Sequence, residues 1–244
     1  MLIKSILKQI SPPILWTVVS GLSGRARTTA YAWTRGRRVR AQAGAGAPGS
    51  EQALEIYWDP DFARILDTWG EGNAWAELVY LLANCEGRIL DVACGTGRTM
   101  EIVAEKLDLP VEGCDISDFL IEKAVARGIP RERLTVCDAT RTGFEDNAFD
   151  FSYSIGSLEH FTEDGITAFI KEMQRITKRT SFHQLPVSRN GKNHGWITPA
   201  QSYFNNSVKW WLSRFESVYD RVVVLDSRWE DNRSVGKWFV CRKA

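Results

Sequence analysis

Three aspartates, two glycines and three histidines carry the chemistry that this chain can do. Asp115 and Asp138 close short apolar runs, VEGCD and LTVCD, and Asp91 stands inside another, RILDV. Gly95 and Gly97 stand between Asp91 and Asp115. Ile89, Leu90 and Val92 suit a buried parallel strand, the glycines permit a tight turn after it, and Thr99 to Leu107 reads as the helix that follows. A turn of this kind usually holds a nucleotide-like cofactor, and a carboxylate suits two neighbouring hydroxyl donors because it can accept from both. His160, His183 and His194 are the candidate bases, since imidazole exchanges its proton near neutral pH.

These residues must be positioned by alternating strands and helices. A fourth apolar run, FDFSYSIGSLEHF, starts at Phe149, and TSFHQLP, from Thr180, makes a fifth. Helices are expected at Phe62 to Trp69, Ala74 to Leu82, Phe119 to Arg127 and Gly165 to Ile176. Ser202 to Phe215 also has helical periodicity, and VVVLD with KWFVCRK reads as a closing antiparallel hairpin. The alternation predicts an α/β fold: a doubly wound, mostly parallel, seven-stranded sheet with a helical N-terminal arm and cap. Ligands on such a sheet bind beyond the carboxyl ends of the strands, and the topology predicts all three histidines there.

The ordered series from Asp91 to Phe161 resembles a class I S-adenosylmethionine-dependent methyltransferase, with the likeness extending roughly over Tyr57 to Lys243. Ala93 stands where that family often has its first glycine. The resemblance implies that Asp91, Ala93, Gly95 and Gly97 wrap the methionine half of the cofactor, with Tyr57 and Ser154 beside it. It implies Asp115 on the ribose hydroxyls, Asp138 on the adenine amine with Ala139 nearby, and Ile116 or Phe119 against the ring. The product would be S-adenosylhomocysteine. A dinucleotide-binding dehydrogenase is the competing reading, but its third glycine is missing: Met100 stands three residues after Gly97.

Methyl transfer needs alignment and, for a hydroxyl acceptor, a base. His160 and His183 are the preferred bases, with Glu159 orienting an acceptor hydroxyl or capping the next helix. The polar loop from Ser188 to Pro199 suits a substrate loop, where Arg189, Lys192 and His194 would bind an anionic group, and Trp69 would stack on a sugar. No metal is expected, because only Asp164 and Asn190 are loosely placed for one.

Net charge is +1 over 244 residues, but the first fifty carry eight basic side chains and no acidic one, leaving 23 basic against 30 acidic in the rest. We therefore divide the chain into a basic arm and linker, residues 1–50, and a catalytic domain, residues 51–244. The acidic balance of that domain argues against a nucleic-acid groove. No apolar stretch approaches the ~20 residues of a membrane span. Two readings of the arm stay open: an interfacial helix on anionic lipid, or an arm packed on the domain or on a second copy as a homodimer. The five cysteines show neither CxxC pair nor zinc spacing and read as reduced thiols of a cytoplasmic protein, peripheral to the inner membrane face on the first of these readings.

The double proline of the arm and the HQLPVSRNGK region are similar to methyltransferases of bacterial surface-polysaccharide assembly. That likeness implies O-methylation of a saccharide or glycan-linked group. A soluble small molecule or natural product, methylated on oxygen or nitrogen, is the alternative acceptor. A non-catalytic cofactor-binding scaffold is the alternative of a different class.

Overall fold

The computed structural model describes residue 52 and residues 54–197 and 201–243. The basic arm and the boundary proposed at residue 50 lie outside the described residues.

After one 3-10 turn at Leu54–Trp58 come two short helices, α1 (Pro60–Leu66) and α2 (Ala74–Leu82). The alternating part follows: β1 (Ile89–Val92), α3 (Arg98–Leu107), β2 (Val111–Asp115), α4 (Asp118–Arg127), β3 (Leu134–Val136), β4 (Phe149–Ile155), α5 (Glu163–Ile176) and β5 (Thr177–Ser188). A two-stranded ladder, β6 (Trp196–Ile197) with β7 (Tyr203–Phe204), leads to α6 (Val208–Glu216) and the hairpin β8 (Arg221–Glu230) and β9 (Ser234–Arg242). Helix starts are set by side-chain caps: the Asp59, Ser117, Thr162 and Ser207 oxygens accept from backbone amides of the first turns of α1, α4, α5 and α6.

The main sheet runs β3-β2-β1-β4-β5-β9-β8, with the first five parallel and β9 antiparallel to both neighbours. Alternate side chains feed two cores, as the pleat requires. Leu90, Val92 and Phe149 meet α5 and α6 through Phe169, Met173, Trp211 and Phe215. On the other face Ile89, Phe151 and Tyr153 meet α2, α3 and α4 through Leu78, Val103 and Ile121. The strand order reverses between β1 and β4, which opens a crevice outside their carboxyl ends.

Four expectations need correction. The fifth strand runs from Thr177 to Ser188, five residues past His183, so His183 lies in its middle and not at its carboxyl end. Helix α6 begins only at Val208, because Tyr203 and Phe204 pair with β6 and Ser207 caps the helix after them. The third strand stops at Val136, leaving Asp138 two residues beyond it in an isolated bridge to Arg141. Helix α1 ends at Leu66, and Trp69 sits in the following turn, its ring edge-on to Trp75 at 6.1 Å.

Candidate functional site

A cavity of about 230 Å³ opens at the crevice. One side is lined by Asp91, Ala93, Gly95, Asp115, Ile116, Asp138 and Ala139, and the other by Tyr57, Trp69, Glu159, His160, Tyr203, Trp229 and Asp231. The sequence-predicted residues outside its lining are Gly97, Ser154, His183, Arg189, Lys192 and His194.

The β1–α3 turn is built in left-handed conformations, with Ala93 at φ 61°, Gly95 at 56° and Gly97 at 73°. A Cβ on Gly97 would stand 3.0 Å from Ala124 Cβ and 3.1 Å from Ile129 Cγ1. This glycine therefore seats the start of α3 against α4 and its C-terminal loop. Ala93 holds a conformation costly for a residue with a Cβ, next to the cavity.

Asp115 is buried and anchored by backbone amides: Gly95 N–H donates to Oδ2 and Ser117 N–H to Oδ1, both at 2.9 Å. Each oxygen keeps a second lone pair for a ligand hydroxyl. Burial pushes its pKa up to about 6, against the pull of those amides. Asp91 is also buried; burial pushes it up to about 7, opposed by the hydroxyl of Thr99, which donates to its Oδ2. Asp138 folds back on its own loop, where its Oδ1 accepts from the Thr140 amide and hydroxyl at 2.8 Å.

Glu159 and His160 share the single turn Leu158–His160 that follows β4. Sequence neighbours on a turn need not face each other, yet here His160 Nε2 lies 3.6 Å from Glu159 Oε1. His160 Nδ1 stands 2.9 Å from the Ser202 carbonyl, which can only accept, so Nδ1 carries the hydrogen and Nε2 the lone pair. Burial lowers its pKa to about 4, leaving the imidazole neutral at physiological pH. Glu159 is 4% exposed, its Oε2 has no partner, and burial pushes its pKa up to about 8.

His183 occupies a different environment. It is fully buried, stacked on Phe215 at 5.1 Å, with Nδ1 2.9 Å from Ser154 Oγ and Nε2 without a partner. Burial depresses its pKa to about 3. It is a core side chain, and Ser154 pairs with it under the site instead of lining it. In the loop after β5, Arg189 pairs with Glu230 at 2.8 Å, and His194 Nε2 is 3.0 Å from Asn190 Oδ1. Arg189 and His194 border a separate shallow recess with Arg233, while Lys192 is exposed on the same loop. Sequence reasoning missed Gln201, Tyr203, Trp229 and Asp231, the last two from the β8–β9 hairpin. No spacing announces them, because they arrive through the antiparallel return of the chain.

A family model described as a methyltransferase domain matches residues 89–180. The 1,6-didemethyltoxoflavin-N1-methyltransferase of Burkholderia thailandensis, solved with its acceptor and S-adenosylhomocysteine, superimposes with TM-score 0.62, covering 91% of this chain and 92% of that one at 14% identity. Residues 89–180 thus match a methyltransferase domain, and the chain around them has the fold of that enzyme.

Phosphoethanolamine N-methyltransferase 2 of Haemonchus contortus, solved with S-adenosyl-L-methionine, superimposes with TM-score 0.54 and 16% identity over 68% of this chain and 51% of that one. The methyltransferase domain also superimposes on the [4+2]-cyclase SpnF, with TM-score 0.57 and 18% identity over 88% of this chain and 94% of that one, so the fold by itself does not fix the reaction. Among curated proteins, a probable tRNA methyltransferase 9B of Mus musculus is 36% identical over 43% of this chain and 23% of its own length. Ajmaline N-methyltransferase of Rauvolfia serpentina is 36% identical over 36% of this chain and 31% of its own length. The chain thus spans less than a third of these relatives. The cavity fits the cofactor on its own chemistry: a buried carboxylate with two oxygens still able to accept, a left-handed turn that brings backbone close, and a continuous space to Asp138.

Proposed function

We propose that this chain transfers the methyl group of S-adenosylmethionine to a small-molecule acceptor in the same cavity, and that the acceptor is a saccharide or glycan-linked hydroxyl with His160 as its base. The observation that carries this reading is the tautomer of His160: with Nδ1 committed to the Ser202 carbonyl, the lone pair on Nε2 is left at the cavity wall.

Asp115 would accept from the ribose hydroxyls, Asp138 from the adenine amine, and Asp91 with the Ala93–Gly95 backbone and Tyr57 would surround the methionine end, while Ile116 and Ala139 flank the base. When bound, S-adenosylmethionine would supply an electrophilic methyl group, and His160 Nε2 would take up the proton of the acceptor hydroxyl. Trp69, Tyr203 and Trp229 offer ring faces for a sugar's C–H face. The reading assigns catalysis to residues 51–244 and membrane contact or dimerisation to the basic residues of 1–50. No helix among the described residues is long and apolar enough to cross a membrane.

An amine acceptor is the second reading, favoured by the carboxyls Glu159 and Asp231 in the lining and in line with the N-methyltransferases among the relatives. Labelled methyl transfer to panels of saccharides and amines tests both. Labelling of saccharides, lowered about 100- to 10,000-fold in His160→Ala with S-adenosylhomocysteine affinity kept, supports the hydroxyl reading. Labelling of amines alone, with His160→Ala as fast as wild type, overturns it.

A further inference from the structure

The side of the cavity away from the β1 turn is acidic and aromatic. It is lined by Glu159 and Asp231 together with Trp69, Tyr203 and Trp229, and Arg98 is the single lysine or arginine among the described lining residues. Arg98 is spoken for: it pairs with Glu101 and stands 3.8 Å from Glu71 at the start of α3. Asp231 Oδ1 is held by the amides of Arg233 and Ser234 at 2.7 Å. Glu159 differs from both. Its Oε2 is buried without any partner, which in a native interior calls for a ligand. Gly156, at φ 63°, keeps space open beside it, since a Cβ there would press to 3.0 Å on Trp69 and stand 3.8 Å from Glu159 Oε1.

We propose that Glu159 binds the acceptor through Oε2 and selects one that presents an N–H or O–H donor over one that presents a carboxylate or phosphate. The proposal rests on the reading that cofactor and acceptor share this cavity. It sets the charge class of the acceptor for either acceptor chemistry. The groups facing Glu159 are His160 on its own turn, Tyr57 before α1 and Tyr203 on β7, with Asp231 on the hairpin and Asp91 and Asp115 lining the cavity farther along β1 and β2. His160 stays neutral and both tyrosines stay protonated between pH 6 and 9, since burial lowers the first to about 4 and raises the others above 10. Asp91 and Asp115 change charge in that range, at about 7 and 6, as does Glu159 at about 8. A variant, not pH alone, must therefore isolate Glu159.

The probes are three analogues of the cofactor whose sulfonium is replaced by a nitrogen bearing an aminoethyl, a hydroxyethyl or a carboxymethyl arm. They place charge where the acceptor would lie without the acceptor being known. Calorimetry at pH 6 and 9 on the full chain reads their affinities relative to S-adenosylhomocysteine. Wild type is expected to bind the aminoethyl analogue at least about tenfold tighter than the carboxymethyl one at pH 9, with a smaller ratio at pH 6. Glu159→Gln, which keeps shape and loses charge, should bring the pH 9 ratio down by about tenfold, and Glu159→Ala should do the same if the first variant folds poorly. A carboxymethyl analogue that binds as well as the aminoethyl one in wild type at pH 9, or a ratio unchanged in both variants, overturns the proposal and leaves the cofactor site standing. Failure of S-adenosylhomocysteine itself to bind removes the shared cavity and the proposal with it.

Discussion

Asp115 and Glu159 are both buried carboxyls of one cavity, yet their partners differ, and so do their expected roles. Asp115 is fixed by two backbone amides, so Asp115→Ala removes an oriented acceptor without disturbing a side-chain network. S-adenosylhomocysteine affinity should weaken by about 2–4 kcal/mol in calorimetry. Because a ligand hydroxyl prefers the charged carboxylate, wild-type affinity should fall as the pH drops through about 6, while Asp115→Asn should show no such limb. Glu159 has no fixed partner on Oε2, and burial holds its proton up to about 8, against the ordinary 4.5. The folded protein keeps a proton that the unfolded chain gives up, so stability declines as the pH rises through that interval. Glu159→Gln should therefore raise the melting temperature at pH 9, with the gain vanishing near pH 4; an unchanged melting temperature at pH 9 would show that the carboxyl is solvated. Asp91, Asp115 and Asp138 were legible because the apolar runs that carry them are local signals. The difference between His160 and His183 was not, since it depends on where a strand stops.

At the scale of elements, β5 shows why. Seven residues of TSFHQLP read as the strand, but pairing with β9 extends from Thr180 to Ser188, and that antiparallel partner is distant in sequence. The extra length pulls His183 off the ligand edge into the core between Phe169 and Phe215. His183→Leu is expected to keep the turnover of wild type and to cost about 1–3 kcal/mol, because leucine fits the volume but leaves the buried Ser154 hydroxyl without its Nδ1 partner. Loss of turnover in a variant that still binds S-adenosylhomocysteine would return His183 to the reaction. The β1–α3 turn offers a pair of opposite effects in denaturant unfolding. Ala93→Gly relieves a left-handed alanine and should stabilise by about 1 kcal/mol, whereas Gly97→Ala adds both backbone strain and a clash with Ala124 and should destabilise by more than that.

For the whole molecule, buried groups of both kinds set opposing limits on pH stability. His160 and His183 are held neutral, at about 4 and 3, so the unfolded chain gains protons first and stability is lost as the pH falls from about 6.5. The raised carboxyls of Asp91, Asp115 and Glu159 act in the opposite sense, losing stability as the pH rises from about 4 through 7, 6 and 8 respectively. Above about pH 6.5 the histidine contribution is complete and the carboxyls alone remain, so the melting temperature should fall between pH 6.5 and 8.5, and one that holds or rises there would mean that these carboxyls are ionised at little cost. The alternation of strand and helix made the architecture readable from the sequence, while the aromatic and acidic wall from Tyr203, Trp229 and Asp231 was hidden in the return of the chain. The same long-range closure has a kinetic side. Tyr57 and Gln201, 144 residues apart, meet at the cavity through one hydrogen bond of 3.2 Å from Nε2 to the phenol oxygen. The wall on that side cannot part without breaking it, so it acts as a latch on ligand residence. One neutral hydrogen bond is about 1 kcal/mol, or roughly fivefold in rate. Stopped-flow mixing of Gln201→Leu, which leaves the Tyr57 phenol in place, with S-adenosylhomocysteine should show entry and escape accelerated together by about that factor, with the equilibrium constant nearly unmoved.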